Sequence, residues 1–450
     1  MPSASLSAPP HVPPTPATQA FGGKLRLAAV VIAVVALAEW IGAAQFALGP
    51  GKVVLLPMLW ALLIAAALGI AQRRLPAALR IGTSLQAYAG GLLNAALLLF
   101  VVKLGLTVGA FLPQVRQAGW ALFFQEFGHA FGTLALGLPL ALLLGIKREA
   151  VGATFSVGRE GNLVIIGQKY GMDSPEGRGV LAEYITGTVL GALFITLLAG
   201  FVASLNLFDP RSLAMGAGVG SGSLMAAALG AITAQQPAER VPQLTAIAAA
   251  ANLITMVLGF YFTLFLSLPA CAWLYERLEP VLGRFSKPRG GQETRDATAG
   301  MGHVDLRGLP LRDTLLSWLL MAVAVTIGNR MAYQVPVLDS LIGLALVIAI
   351  VAVVDALKRA VPRLPLVLAL SVVATVVGIP GLLPFSDAVV ALTNKLNFMA
   401  FTTPVLALAG FSVAKDLPIF RQLGWRIVVV SLTATAGTFL GATLVAEFFH

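Results

Sequence analysis

An all-α polytopic transmembrane helix bundle is the fold class this sequence predicts, and three observations carry that reading. Hydrophobic residues make up 58% of the 450-residue chain and charged residues only 11%, against about a quarter charged in soluble domains. Apolar runs able to cross a bilayer, which takes roughly 20 residues, recur from end to end. The basic residues stand in short stretches beside those runs, where the positive-inside rule operates. The net charge of +10 therefore reports topology and not a nucleic-acid partner.

Residues 1–23 hold six prolines and no Lys or Arg, so they read as a disordered cytoplasmic tail and not a secretory leader. The apolar runs that follow cover 25–48, 53–71, 85–108, 119–145, 180–203, 243–275, 315–333, 337–356, 364–378, 389–411 and 424–448. Two shorter glycine-rich segments, 151–167 and 213–232, either cross or re-enter the membrane; the re-entrant form is favoured, because non-helical backbone at membrane depth must line a cavity or be buried in protein. The chain divides into a first transmembrane block at 24–149, a central block at 150–275, a cytoplasmic linker at 276–312 with seven basic and five acidic residues, and a second transmembrane block at 313–450. The single cysteine, Cys271, excludes an intrachain disulfide and a thiolate metal cluster.

Two duplications organise these blocks. Residues 103–120 lie over 408–425 at a shift of 305 with no gap, with eight identities in eighteen positions, among them Pro113 with Pro418, Arg116 with Arg421 and Trp120 with Trp425. The same shift sets Gly132 and Thr133 on Gly437 and Thr438. Loop charges give the two copies opposite orientations, which is the inverted repeat of many secondary transporters. In the central block, ITGTVLGALF at 185–194 is similar to LITMVLGFYF at 253–262, and each follows a glycine-rich segment. The unit is thus a broken element plus a full helix, present twice. The two duplications do not nest in the order that a simple repeat would give.

Four alternating glycines at Gly216, Gly218, Gly220 and Gly222 miss the G-x-G-x-x-G spacing, which removes a nucleotide loop. Each weakens a helix by about 1 kcal/mol relative to alanine, so an unwound stretch is expected there, with helix packing as the plainer alternative. Candidate substrate ligands are Gly158, Arg159, Asn162, Gly218, Gly220, Ser221, Ser223 and Asn252; candidate ion- or proton-coupling groups are Glu126, His129, Glu160 and Glu183. Glu126 and His129 are three residues apart on one helical face, too deep for interfacial charges. An interhelical hydrogen bond is an equal reading of that pair, and a loop position is an equal reading of Arg159 and Glu160. Glu39 is expected near an interface, and Asp173, Glu176 and Arg178 read as solvated turn residues. No metal motif and no Ser/His/Asp set is found.

The stretches FSVGREGN, KYGMDSPEGRGV, MGAGVGSGS and AGFSVAKDLPIFRQLGW resemble a bacterial family of polytopic membrane proteins of unknown function. More distantly, the inverted repeat with glycine-rich breaks resembles the citrate, glutamate and bile-acid type carriers, which implies a scaffold and a moving core; a clean GGxG pair at equivalent positions is missing. The expectation is a secondary active transporter of a small anionic organic solute, a carboxylate or amino acid, across the bacterial inner membrane. Its partners are the lipid bilayer and the solute, with a homo-oligomer open. Its only cofactor would be a coupling proton or sodium ion, and it would not be an enzyme. The alternatives are an intramembrane enzyme using Glu126 and His129, or a non-transporting membrane subunit.

Overall fold

Proline and glycine punctuate an otherwise helical chain. The computed structural model describes residues 21–48, 51–171, 174–218, 220–285, 309–361, 366–422 and 424–449. Helix α1 (Phe21–Ile41) stops before Gly42, whose φ of +73° suits glycine alone. Strands β1 (Ala44–Leu48) and β2 (Gly51–Leu55) then form an antiparallel hairpin, and Pro57 starts α2 (Pro57–Ile70), where a missing N–H is harmless. The runs expected at 25–48 and 53–71 are corrected accordingly. A short apolar run has no periodicity that separates strand from helix, and Gly42 and Pro57 isolate the stretch between them. Helix α1 also takes in the last three residues of the expected tail, 21–23; the rest, 1–20, lies outside the described residues.

Helices α3 (Thr83–Ala110), α4 (Leu112–Ala118) and α5 (Ala121–Leu143) complete the first outer block. The central block is built twice from similar parts. First come α6 (Glu149–Thr154), α7 (Arg159–Lys169) and a long helix made of α8 (Pro175–Thr186), a π turn (Gly187–Gly191) and α9 (Ala192–Ser204). Next come α10 (Pro210–Ala217), α11 (Gly222–Thr233) and a long helix made of α12 (Val241–Phe262), a π turn (Thr263–Ser267) and α13 (Leu268–Leu282). Both glycine-rich segments are thus pairs of short helices. The expected linker is partly helical, since α13 runs on to Leu282; residues 286–308 lie outside the described residues.

The second outer block contains α14 (Leu311–Tyr333), α15 (Val337–Ala360), α16 (Leu366–Gly378), α17 (Ser386–Thr393), α18 (Phe398–Gln422) and α19 (Trp425–Glu447). The run expected at 389–411 is two helices. Asn397 divides it: its side chain accepts from the Met399 N–H at 2.8 Å while its own N–H donates to Asn329 Oδ1 at 3.0 Å. Among the described residues, eight helices are long and apolar enough to cross a membrane, so the chain is a multi-pass membrane protein.

The most extensive helix contact joins α5 to α19. A Cβ on Gly132 would collide with the Gly437 carbonyl, and one on Gly437 with the Gly132 carbonyl; Gly128 and Gly441 are related in the same reciprocal way. The contacts pair rising numbers with falling ones, so the helices cross antiparallel. Thr133 and Thr438, 305 residues apart, share a hydroxyl hydrogen bond of 2.6 Å at the crossing. Replacing Gly132 by leucine should force the helices apart, at a cost of roughly 1–3 kcal/mol or more for an overpacked contact. Thermal unfolding in detergent should show a lower midpoint and reduced monodisperse yield for Gly132→Leu, whereas Leu136→Ala, on an exposed face, should change neither.

Candidate functional site

Each central unit breaks where its two short helices meet. In the first, Phe155 to Gly158 are non-helical. Ser156 Oγ accepts from the Gly158 N–H at 3.2 Å, and Asn162 Nδ2 donates to the Ser156 carbonyl at 3.1 Å. The other long helix holds this break from outside: the Ser267 hydroxyl donates to the Phe155 carbonyl, and Thr263 Oγ1 donates to Ser156 Oγ at 3.4 Å. Thr263 and Ser267 are the two ends of a π turn, a feature that recurs at functional positions in helices.

In the second break Gly220 has φ +91°, and Ser221 caps α11, its Oγ accepting from the Leu224 N–H at 3.4 Å and lying 3.2 Å from Ser223 Oγ. Asn252 on α12 donates to the carbonyls of Gly218 at 2.8 Å and Gly220 at 3.2 Å. Gly218 sits so close to α12 that a Cβ would collide with the Ala248 carbonyl. The two breaks are therefore braced by asparagine amides bonded to backbone that helix geometry has released.

A cleft lies between the breaks and the crossing helix α19. Val157 of the first break, Gly216 and Gly220 of the second, Leu224, and Thr435, Thr438 and Phe439 of α19 are among its walls, around about 270 Å³ that is partly open. Most of that figure is open space: the enclosed room is about 10 Å³, about enough for one water and far below small-molecule pockets of roughly 300–1,000 Å³, so the cleft is closed to a solute in this conformation. Of the expected solute ligands, Gly220 faces this space, while Gly158, Asn162, Gly218 and Asn252 shape the backbone around it and Ser221 and Ser223 start the helix beside it. The side chains of Arg159 and Glu160 lie outside the described residues; their backbone opens α7.

The other expected ion groups sit apart from the cleft. Glu183 is buried in α8. Glu126 and His129 are 2% and 6% exposed on α5, with Glu126 Oε2 3.9 Å from His129 Nδ1. The Thr255 hydroxyl of α12 and Gln125 Nε2, the latter at 3.0 Å, both donate to Glu126 Oε1. Glu39 is buried on α1, where it accepts from Thr403 Oγ1 at 2.7 Å.

Glu176 and Arg178 correct the sequence reading. They are not solvated turn residues but stand in the first turn of α8, where Arg148 reaches Glu176 at 2.7 Å and Arg178 reaches Glu149 at 2.9 Å. The hydrogen bond to Glu176 shifts the Arg148 pKa upward. Asp173 lies outside the described residues. Thr255, Thr263, Ser267 and Ser156 are side chains at these contacts that sequence reasoning missed. Hydroxyls in apolar helices ordinarily bond their own preceding turn, so nothing in the residue pattern marks them.

Asn252→Ala should leave the Gly218 and Gly220 carbonyls without their donor, at about 1–3 kcal/mol for buried groups. Hydrogen exchange should rise across 216–224, with little change at the α5–α19 crossing.

Among the described residues no group of three His, Cys, Asp or Glu could hold a metal ion. Comparison with curated proteins and with solved structures finds no match. One family model does match, over residues 36–277, which is more than half of the chain and holds both breaks together with Glu126 and His129. The chain belongs to the family described as protein of unknown function (DUF3100).

Proposed function

We propose that this protein is a secondary active transporter of a small anionic organic solute across the bacterial inner membrane, and that it performs no chemical step on the solute. The observation that carries the reading is the convergence of two broken helical elements on one cleft beside the α5–α19 crossing. The carbonyls freed at the breaks are bonded within the protein, but α7 and α11 start there, and their first N–H groups and positive N-terminal ends favour an anion.

Symmetry supports it. Gly105 on α3 faces the Ser371 carbonyl, the Ala374 Cβ and the Thr375 amide of α16; Gly410 on α18 faces the Leu62 carbonyl, the Ala65 Cβ and the Ala66 amide of α2. The two glycines are equated by the 305-residue shift, and each meets positions i, i+3 and i+4 of the partner copy. In the centre, α6 packs on α8 as α10 packs on α12, while α8 leans on α19 as α12 leans on α5. One pseudo-two-fold through the crossing would relate outer block to outer block and core to core. That accounts for duplications that fail to nest along the chain.

Ion pairs favour the re-entrant form for the first unit. Arg148 and Glu149, before and at the start of α6, pair with Glu176 and Arg178 at the start of α8. If both starts lie at one membrane face, the chain between them goes in and returns.

The test is uptake of radiolabelled carboxylates and amino acids into liposomes under a proton or sodium gradient. Gly220→Leu should lower flux at least about tenfold, the change expected from a 1.4 kcal/mol effect, in a chain that still folds, its unfolding midpoint lowered only by the roughly 1–2 kcal/mol that a side chain costs at a positive φ; Arg159→Ala should weaken uptake of anions. Flux that survives both substitutions would remove the site assignment, and an altered product without a gradient would identify an enzyme instead.

A further inference from the structure

We propose that the coupling ion is a proton, bound between Glu126 and His129, and that its binding is felt at the second break through one turn of α12. The inference deepens the transport reading and rests on it for the word coupling; the binding site itself stands on the geometry of α5 and α12.

The site is an isolated acid and base inside the bundle. Glu126 Oε1 takes two donors, from Thr255 and Gln125, whereas Glu126 Oε2 faces His129 Nδ1 at 3.9 Å. Among the described residues, both ring nitrogens of His129 lack a hydrogen-bond partner, and both are shut from solvent. Buried polar atoms are nearly always bonded, so such a group needs an explanation. A proton on either member turns the Oε2 and Nδ1 pair into a donor and an acceptor. A hard cation prefers a shell of about six oxygens, but the group facing Glu126 Oε2 is a nitrogen base, His129 Nδ1.

The surroundings bring no competing charge. Among the described residues, neither side chain pairs with a third titratable group. On α12 the facing residues are Thr255 and Gly259, and Tyr261 is exposed. Other charges on helices packed against α5 engage groups away from this pair: Glu149 pairs with Arg178, Glu276 with Arg148, Glu279 with Lys147, Arg211 with Asp209, and Glu447 with the Asp209 N–H, and Arg284 stands in the short helical turn after α13. Arg277 and Arg426 lie over Trp273 and Trp425; Cys271 and Tyr275 belong to α13, where Cys271 contacts Val151 and Tyr275 lies under Arg148. Phe127 and Phe262, with ring centroids 5.0 Å apart, close the same α5–α12 contact with apolar surface.

The link to the break is short. Thr255, which donates to Glu126, stands three residues after Asn252, which holds the Gly218 and Gly220 carbonyls. Residues i and i+3 share one face of a helix. A proton on Glu126 Oε2 leaves Oε1 a neutral and weaker acceptor for Thr255, whose hydroxyl already has a second acceptor in the Ala251 carbonyl. Ala251 is in turn in close contact with Gly218.

The experiment uses the full chain in lipid nanodiscs, with protons and sodium as the only probes. Infrared difference spectra between about pH 4 and 9, a range that brackets free carboxyl and imidazole groups, should show a protonated-carboxyl band that is lost in Glu126→Gln and shifted in pH in His129→Gln. Glu39→Gln, which alters another buried carboxylate, should leave the Glu126 band in place. Protection from hydrogen exchange at 216–224, with the intrinsic pH dependence of amide exchange divided out, should change several-fold over the same pH step in the wild type and not in Glu126→Gln. Replacing potassium by sodium at fixed pH should change neither readout. A band indifferent to Glu126→Gln, an exchange response that persists in that variant, or a Glu126-dependent response to sodium would each overturn the proposal. These readouts need no solute, so the proton site can fail while Gly220→Leu still abolishes flux, and the reverse.

Discussion

The close approach of α5 and α19 is the constraint on which the rest of the structure depends. Two helices in lipid gain little by hiding apolar surface from each other, because the lipid is as apolar as they are; they associate through contact area and short polar links. Gly128 and Gly132 on one side and Gly437 and Gly441 on the other let backbone meet backbone, and the Thr133–Thr438 hydrogen bond fixes the register. Both central units are hung from this pair: α6 and α12 contact α5, and α8 and α10 contact α19. A shift at the crossing would therefore move both breaks together.

The breaks are stabilised differently from the crossing. Backbone freed from a helix must find partners inside the protein, and one long central helix serves both breaks. Asn252 serves the second, Thr263 and Ser267 the first, all from the continuous helix at 241–282. That helix touches α5 as well, so it is the element common to both breaks and to the Glu126 pair. Its π turn widens the helix where Thr263 and Ser267 must reach Phe155 and Ser156.

Much of this was legible in the residues, for reasons that also explain what was not. The glycine run at 216–222 implied a break because helix propensity sums over neighbours, and the break falls there. The 305-residue shift was visible because Pro, Arg and Trp coincide rarely by chance. The paired Gly-x-x-x-Gly spacing at 128–132 and 437–441 is also in the sequence, but that motif names a contact face and not its partner. The hairpin at 44–55 and the division of 389–411 at Asn397 were hidden because apolar content dominated both runs. Glu176 and Arg178 looked solvated in a turn-like stretch; burial came from Arg148 and Glu149, which precede them by nearly 30 residues and reach them only through the fold.

The crossing pair is alike in geometry and unlike in chemistry. Under the 305-residue shift Glu126 corresponds to Ser431 and His129 to Ala434, so the acid and base stand on α5 alone. In the proposed carrier, related contacts in the two outer blocks would provide the two packings of similar energy that bistability needs. An ionisable pair on only one of them would give those packings different affinities for an ion. Without that difference an ion would bind both states equally and shift neither. The departure from symmetry at Glu126 and His129 is thus what would let a gradient act on an otherwise balanced bundle, and Thr255 and Asn252 place that departure one helical turn from the backbone of the cleft.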